Sequence, residues 1–233
     1  MKKYIFIPVS LFLIAFVFMT SSCDKIEEFL PQDETAQGLR EALKISTDTT
    51  VNKAGATNGF YGNAAIKILF PPEAQEVLDF ADNNPFLGAA LNSLTENFVQ
   101  RMNQAAEQAA PLAKDIFKET ITNITITDAL GILNGGNDAA TIFLENNARQ
   151  PLFDAFHPIV EDKISAVGAD DIWSNVTGTY NTISGQQVNT DINAYVTDKA
   201  LDGLFHLIAE EEEKIRNDPL HRVTDLLERV FGS

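Results

Sequence analysis

The sequence predicts an all-α fold, a single bundle of about seven to nine helices that follows a cleaved leader. Three observations predict it. From about residue 34 onward, apolar residues recur at spacings of three and four, and no window shows sustained strand alternation. Proline, glycine and asparagine clusters punctuate that pattern at helix-length intervals. The apolar fraction is 45% of 233 residues, ordinary for a chain with one core and too high for a disordered one.

The first element is a leader. Lys2 and Lys3 form a positive start, Tyr4 to Met19 is uncharged and mostly apolar, and Thr20, Ser21 and Ser22 are small. That is the layout of a secretory signal with a small-residue cleavage site. The apolar run is short for a bilayer span of about 20 residues. Cys23 follows at once and is the single cysteine. A cysteine at this place resembles the bacterial lipobox, in which the thiol is acylated and the cysteine becomes the first mature residue. Thr20 stands where leucine is usual. The expected organisation is a signal over 1–22, an acylated Cys23 with a tether over 23–33, and one helical domain over 34–233. Two or three acyl chains, at about 0.8 kcal/mol per buried CH2, hold a protein on a membrane essentially permanently. One cysteine excludes an intramolecular disulfide and any cysteine-rich metal site.

Composition bounds the partners. Without Lys2 and Lys3 the balance is 15 basic against 33 acidic residues, a charge of about −18. Nucleic acid, which needs a basic surface, is excluded as a partner. The acidity itself reads as solubility of an exported protein.

The helices follow in order. Leu39, Leu43 and Val51 mark a first helix that fades near Gly55, and residues 58–63 form a turn-rich connector. Ile66 to Phe70 is a short apolar run, extended or helical, ended by Pro71-Pro72; Pro72 suits the start of a helix carrying Val77, Leu78 and Ala81. Leu87, Leu91, Leu94, Phe98, Met102, Ala105, Ala109, Leu112 and Ile116 then form one stripe along a long helix, kinked or broken at Pro111. Ala105, Ala106, Ala109 and Ala110 invite close approach of another helix. Thr125 to Leu133 is a short helix, stopped and restarted by Asn134-Gly135-Gly136-Asn137. A second long helix carries Ala139, Ile142, Phe143, Leu152, Phe153, Phe156, Val160 and Ile164, with a kink or break expected at Pro158. Ile172, Trp173, Val176, Tyr180 and Ile183 mark a helix ending at Gly185. Another strong stripe runs from Ile192 to Ile208. Asp218 as cap and Pro219 at the first position start the last helix, with Leu220, Val223, Leu226, Leu227, Val230 and Phe231 on one face.

Several strings, taken in order, carry a family resemblance. They include Met102-Asn103-Gln104-Ala105-Ala106-Glu107, Asp128-Ala129-Leu130-Gly131-Ile132-Leu133-Asn134-Gly135-Gly136, Tyr195-Val196-Thr197-Asp198-Lys199-Ala200-Leu201-Asp202-Gly203-Leu204-Phe205 and Ile215-Arg216-Asn217-Asp218-Pro219. From about Leu39 to Gly232 the chain resembles the bacterial domain-of-unknown-function family 4197. The resemblance implies an exported or lipidated envelope protein and supplies no mechanism.

Four constellations could carry chemistry. Gly135-Gly136-Asn137-Asp138 precedes a helix start, where free N–H groups can hold an anion, but it lacks the lysine and spacing of a phosphate loop; the simpler reading is a glycine C-cap and an Asn or Asp N-cap. His157, His206 and His221 each follow an aspartate by three or four, yet no Glu-x-x-His pair accompanies them, so no metal site is expected. Asn103 and Glu107 share a helix face and could turn inward to meet Arg216 or Lys199; with Asp128 they form the candidate polar cluster, structural or functional. Glu210 to Glu213 reads as a solvated face with Glu210–Lys214 and Glu212–Arg216 pairs. No nucleophile sits in a recognisable order and no cofactor is expected.

The functional expectation is a non-enzymatic module of the cell envelope. It is held to a membrane, the outer membrane on its periplasmic or surface face, by lipid on Cys23, and it binds an envelope protein or small ligand. The alternative is a metal-binding or hydrolytic enzyme using the buried polar cluster, which requires those side chains to converge in one cavity.

Overall fold

The structure, a computed structural model, describes residues 31–71, 76, 79, 83, 95–166, 168–185, 187–188 and 191–232. Cys23, the leader and the expected helix carrying Val77, Leu78 and Ala81 lie outside them, as do Leu87, Leu91 and Leu94. Among the described residues there are eight α-helices, two 3-10 turns and no strand. The helices are α1 (Gln32–Ala54), α2 (Thr95–Ala109), α3 (Ala113–Thr122), α4 (Ile126–Leu133), α5 (Ala139–Ser165), α6 (Ala169–Ser184), α7 (Ile192–Asn217) and α8 (Asp225–Phe231). The fold is all-α, as the spacing predicts. No helix among the described residues is long and apolar enough to cross a membrane.

Helix α5 is the centre of the bundle: α2, α3, α4, α6 and α7 all pack on it. Its buried residues show why one helix can serve so many neighbours. Ala140, Leu144, Ala148, Leu152, Phe156, Val160 and Ile164 are all at most 1% exposed and stand four apart. At 3.6 residues per turn each step of four advances about 40°, so the buried line winds roughly 240° around the helix from end to end. The straight stripe expected through Ala139, Ile142 and Phe143 is therefore displaced in the first turns, and Ile142 is exposed.

The two internal prolines behave differently. At Pro111 the helix breaks as expected, into a 3-10 turn over Ala110–Leu112. That turn shifts the phase of the stripe, so Leu112 becomes exposed while Met102, Ala105, Ala106, Ala109, Ala110 and Phe117 are fully buried. At Pro158, where a kink or break was expected, there is no break: α5 runs on through both Pro151 and Pro158. Both prolines face solvent. The carbonyls they leave without an N–H partner therefore lie on a wet face, where water can satisfy them.

The chain's end needs a correction as well. Asp218 caps only a 3-10 turn, Pro219–His221. The last α-helix begins at Asp225, capped by the Thr224 side chain, which accepts from Leu227 N. Leu220 and Val223 consequently fall outside the helix and are exposed, while Leu227 is fully buried with Ala42 and Ile215. Ile183, expected on the apolar face of α6, is also exposed.

Candidate functional site

The candidate polar residues do not converge. Asn103 and Glu107 do turn inward from α2, at 0% and 7% exposure, but their partner is the connector over residues 55–71. Asn103 Oδ1 accepts from Ile68 N at 2.9 Å, and its Nδ2 donates to Ile68 O at 2.8 Å and Val99 O at 2.7 Å. Glu107 Oε1 accepts from Phe60 N and Tyr61 N, both at 3.2 Å. Side chains thus supply the pairing that an irregular segment cannot supply for itself. Among the described residues no hydrogen bond or ion pair joins Glu107 to Arg216 or Lys199, contrary to the expected meeting.

Arg216 belongs to a second buried knot. Its Nε and Nη2 donate to Glu212 Oε1 at 2.9 and 2.8 Å, and Nη2 also donates to Ile132 O at 3.0 Å, at the C-terminal end of α4. Glu212 in turn accepts from Ala140 N at 3.0 Å, Thr141 N at 2.8 Å and Thr141 Oγ1 at 2.8 Å, at the N-terminal end of α5. One i,i+4 pair on α7 therefore holds both sides of the Asn134–Asp138 turn. The signs match the helix ends, carboxylate to the positive start and guanidinium to the negative finish. The anion at the Gly135-Gly136 helix start is thus the protein's own Glu212, and Asp138 makes no side-chain cap bond. Sequence reading missed this residue's role. Glu212 stood in a run of four glutamates read as a solvated face, yet it is 6% exposed. Its neighbour Glu211, and not Glu210, takes Lys214 at 2.9 Å together with Lys53 at 2.6 Å.

Asp128 closes a capping box with Thr125 at the start of α4: Thr125 N and Oγ1 donate to Asp128 Oδ2, and Asp128 N donates to Thr125 Oγ1. The Thr125 hydroxyl and backbone N–H hold the Asp128 carboxyl below the usual carboxylate range. Lys199 lies on the outer face of α7, its Nζ 2.9 Å from Asp202. Asp202 also takes Arg149 at 2.7 Å, and Arg149 further contacts Asp198 and Glu145. Burial opposes ionisation of Asp202; the hydrogen bonds from Lys199 and Arg149 outweigh it and leave the carboxyl below its ordinary value.

The histidines are dispersed. His157 stacks on Phe153, His206 faces Glu210 at 3.3 Å, and His221 meets Asp218 at 2.9 Å. Among the described residues no group of three or more His, Cys, Asp or Glu is placed to hold a metal ion.

What the fold does open is a groove of about 540 Å³ between the connector and the N-terminal half of α7. One wall is the irregular segment Ala65 to Phe70; the other carries Tyr195, Lys199, Asp202, Gly203 and His206. Ile66 and Ile68 point into the core, while Leu69 is 60% exposed. Tyr195 donates its hydroxyl to Leu69 O at 3.2 Å, and Lys67 Nζ stands 4.0 Å from the centre of the Tyr61 ring. Gly203 allows the two walls to meet: a Cβ there would stand 2.8 Å from Phe60 Cε1 and 3.1 Å from Ile66 Cβ. The lining mixes apolar surface with ammonium, carboxylate and imidazole groups, so it can take a ligand that has both apolar and polar parts.

A family model described as a protein of unknown function, DUF4197, matches residues 29–232. The chain belongs to that family. No curated protein and no solved structure matches it.

Proposed function

We propose that this DUF4197 member is a lipid-anchored domain of the bacterial cell envelope that binds a partner protein or small ligand in the groove between the connector and α7. The anchor part rests on the leader and on Cys23 placed directly after three small residues. The binding part rests on one observation. The inward polar groups Asn103, Glu107, Glu212 and Arg216 are each bonded to backbone of another segment, whereas the groove presents Leu69, Lys199, Asp202 and His206 to solvent. Buried groups used in this way serve architecture. A solvent-facing cleft with mixed lining is the default place for recognition. The enzyme alternative required the inward residues to share a cavity, and the knots at Glu107 and Glu212 do not supply that arrangement.

The test is affinity capture of the native lipidated protein from its own envelope, in parallel with a groove variant, Leu69→Asp combined with Lys199→Glu. Both positions are exposed, so the variant should fold. The expected result is a co-purifying protein or small molecule that the variant fails to retain. Identical co-purification by both proteins would remove the groove from consideration.

A further inference from the structure

We infer that the groove between the connector and α7 takes a small anionic amphiphile, a carboxylate or phosphate monoester on an alkyl chain, with its charged group against Lys67 and its chain along Leu69, Phe70 and Tyr195. This rests on the groove reading above and names the ligand class. The connector sets the order of the two parts. Residues 67–71 belong to no helix or turn. Ile66 and Ile68 are buried, whereas Lys67 is half-buried and Leu69 is 60% exposed. That alternation is the period of an extended chain, which sends next-but-one residues to the same side, about 6–7 Å apart. Lys67 and Leu69 therefore share the side away from the core, and both line the groove. The Asn103 amide holds this register, because it bonds both Ile68 N and Ile68 O. One wall thus carries a cation and, one step along, an open aliphatic surface.

The charge of the ligand follows from what the fold leaves unmatched. Asp202 already takes Lys199 at 2.9 Å and Arg149 at 2.7 Å, and His206 faces Glu210 at 3.3 Å. Lys67 differs. Its Nζ stands over the Tyr61 ring, and among the described residues no carboxylate pairs with it. The chain has 33 acidic residues against 17 basic ones, so an ammonium without a carboxylate stands out. An aromatic face steadies a cation without neutralising it, so the charge remains for a ligand. An anionic group there gains a charge-assisted hydrogen bond, whereas a cationic one meets repulsion. Size and shape supply the apolar part. The groove holds about 540 Å³, within the roughly 300–1,000 Å³ of small-ligand clefts. From Lys67 to Phe70 is about 10 Å of extended chain, with Tyr195 on the facing wall. A compact ion such as inorganic phosphate would leave Leu69 and these rings wet; an alkyl chain covers them.

The test is photo-crosslinking of the full chain, as isolated from cells in nonionic detergent. Three probes carry a diazirine at the end of a decyl chain: decanoic acid, decyl phosphate and decyltrimethylammonium. Peptide mass spectrometry locates the label. The expected result is label on the peptides carrying Ala65–Phe70 or Tyr195–His206 from an anionic probe, displaced by an excess of the same amphiphile without diazirine, and no such label from the ammonium probe. Labelling by the acid alone would identify a free fatty acid as the source of the charge, and labelling by the phosphate alone a phospholipid-type headgroup; either supports the inference. Lys67→Glu should raise the probe concentration for half-maximal labelling at least about tenfold. Lys67→Arg should restore it, and Lys118→Glu, exposed on α3 and outside the groove, should leave it unchanged. Equal labelling by the ammonium probe, or labelling indifferent to Lys67→Glu, would overturn the anionic assignment. Absence of groove label from all three probes would overturn the amphiphile itself. The groove reading would still stand if the Leu69→Asp, Lys199→Glu variant loses a protein that the natural chain captures from the envelope, and it would fall with the amphiphile if both capture the same material.

Discussion

Glu107 and Glu212 are two buried glutamates with one task and different company. Each lies beneath the surface, each takes two consecutive backbone N–H groups, and each fastens a segment remote in sequence. Glu107 does so alone and binds an irregular connector. Glu212 adds Arg216, 2.8 Å away and 10% exposed, and so ties α7 to the end of α4 and the start of α5. The difference teaches where a buried cation is needed: three chain segments meeting at opposite helix ends call for both signs, and one connector calls only for an acceptor.

The largest expected effect follows from that asymmetry. Glu212→Ala strands a buried guanidinium as well as two helix-starting N–H groups and should lower unfolding stability by about 3–5 kcal/mol in urea titrations. The double variant Glu212→Leu with Arg216→Met should lose less than Glu212→Ala, because no orphan charge remains. A loss from Glu212→Ala below that of Glu107→Ala would reverse the comparison. Glu107→Ala leaves only Phe60 N and Tyr61 N without an acceptor and should cost about 1–3 kcal/mol. Glu107→Gln, which keeps a carbonyl, should recover most of it. Next comes the packing around the connector. Gly203→Ala should destabilise by about 1–2 kcal/mol despite its better helix propensity, because the Phe60 ring must move. Gly178→Ala meets nothing within 4 Å and should stabilise by up to about 1 kcal/mol. Thermal melts of the two would sharpen the claim that the connector is held by fit as well as by Glu107. The smallest effect is at the exposed Asp202 cluster. Its folded carboxyl is lowered, so its contribution is present above the unfolded carboxylate value and lost as pH falls through the folded one. Asp202→Asn should cost roughly 0.2–1 kcal/mol near neutral pH and nothing in acid. A cost that persists in acid would mean that the ion pairs are not its source.

Helix existence was legible because periodicity reports it directly: Met102, Ala105 and Ala109 of α2 and most of the stripe of α7 are buried as their spacings predict. The winding line of α5 was hidden, since a helix contacted from several sides has no single apolar face to read. At Pro158 the expectation was a kink or a break, and the helix continues without a break. The start of the last helix was misplaced because Asp218 and Pro219 begin a 3-10 turn and not an α-helix. The Glu212–Arg216 pair was legible from its spacing, but the burial of Glu212 and its hold on the start of α5 were not, because those partners lie 71 and 72 residues away along the chain. Asn103 and Glu107 were correctly placed on an inward face, but their partners were backbone amides, which carry no sequence signature.

The central proposal is the lipid anchor on Cys23. The most direct measurement is mass spectrometry of the N-terminal peptide of the protein isolated from its native membrane fraction. The result expected is a chain that begins at Cys23 and carries diacylglycerol on its sulfur. A chain that still begins at Met1, with an unmodified thiol at Cys23, would contradict it.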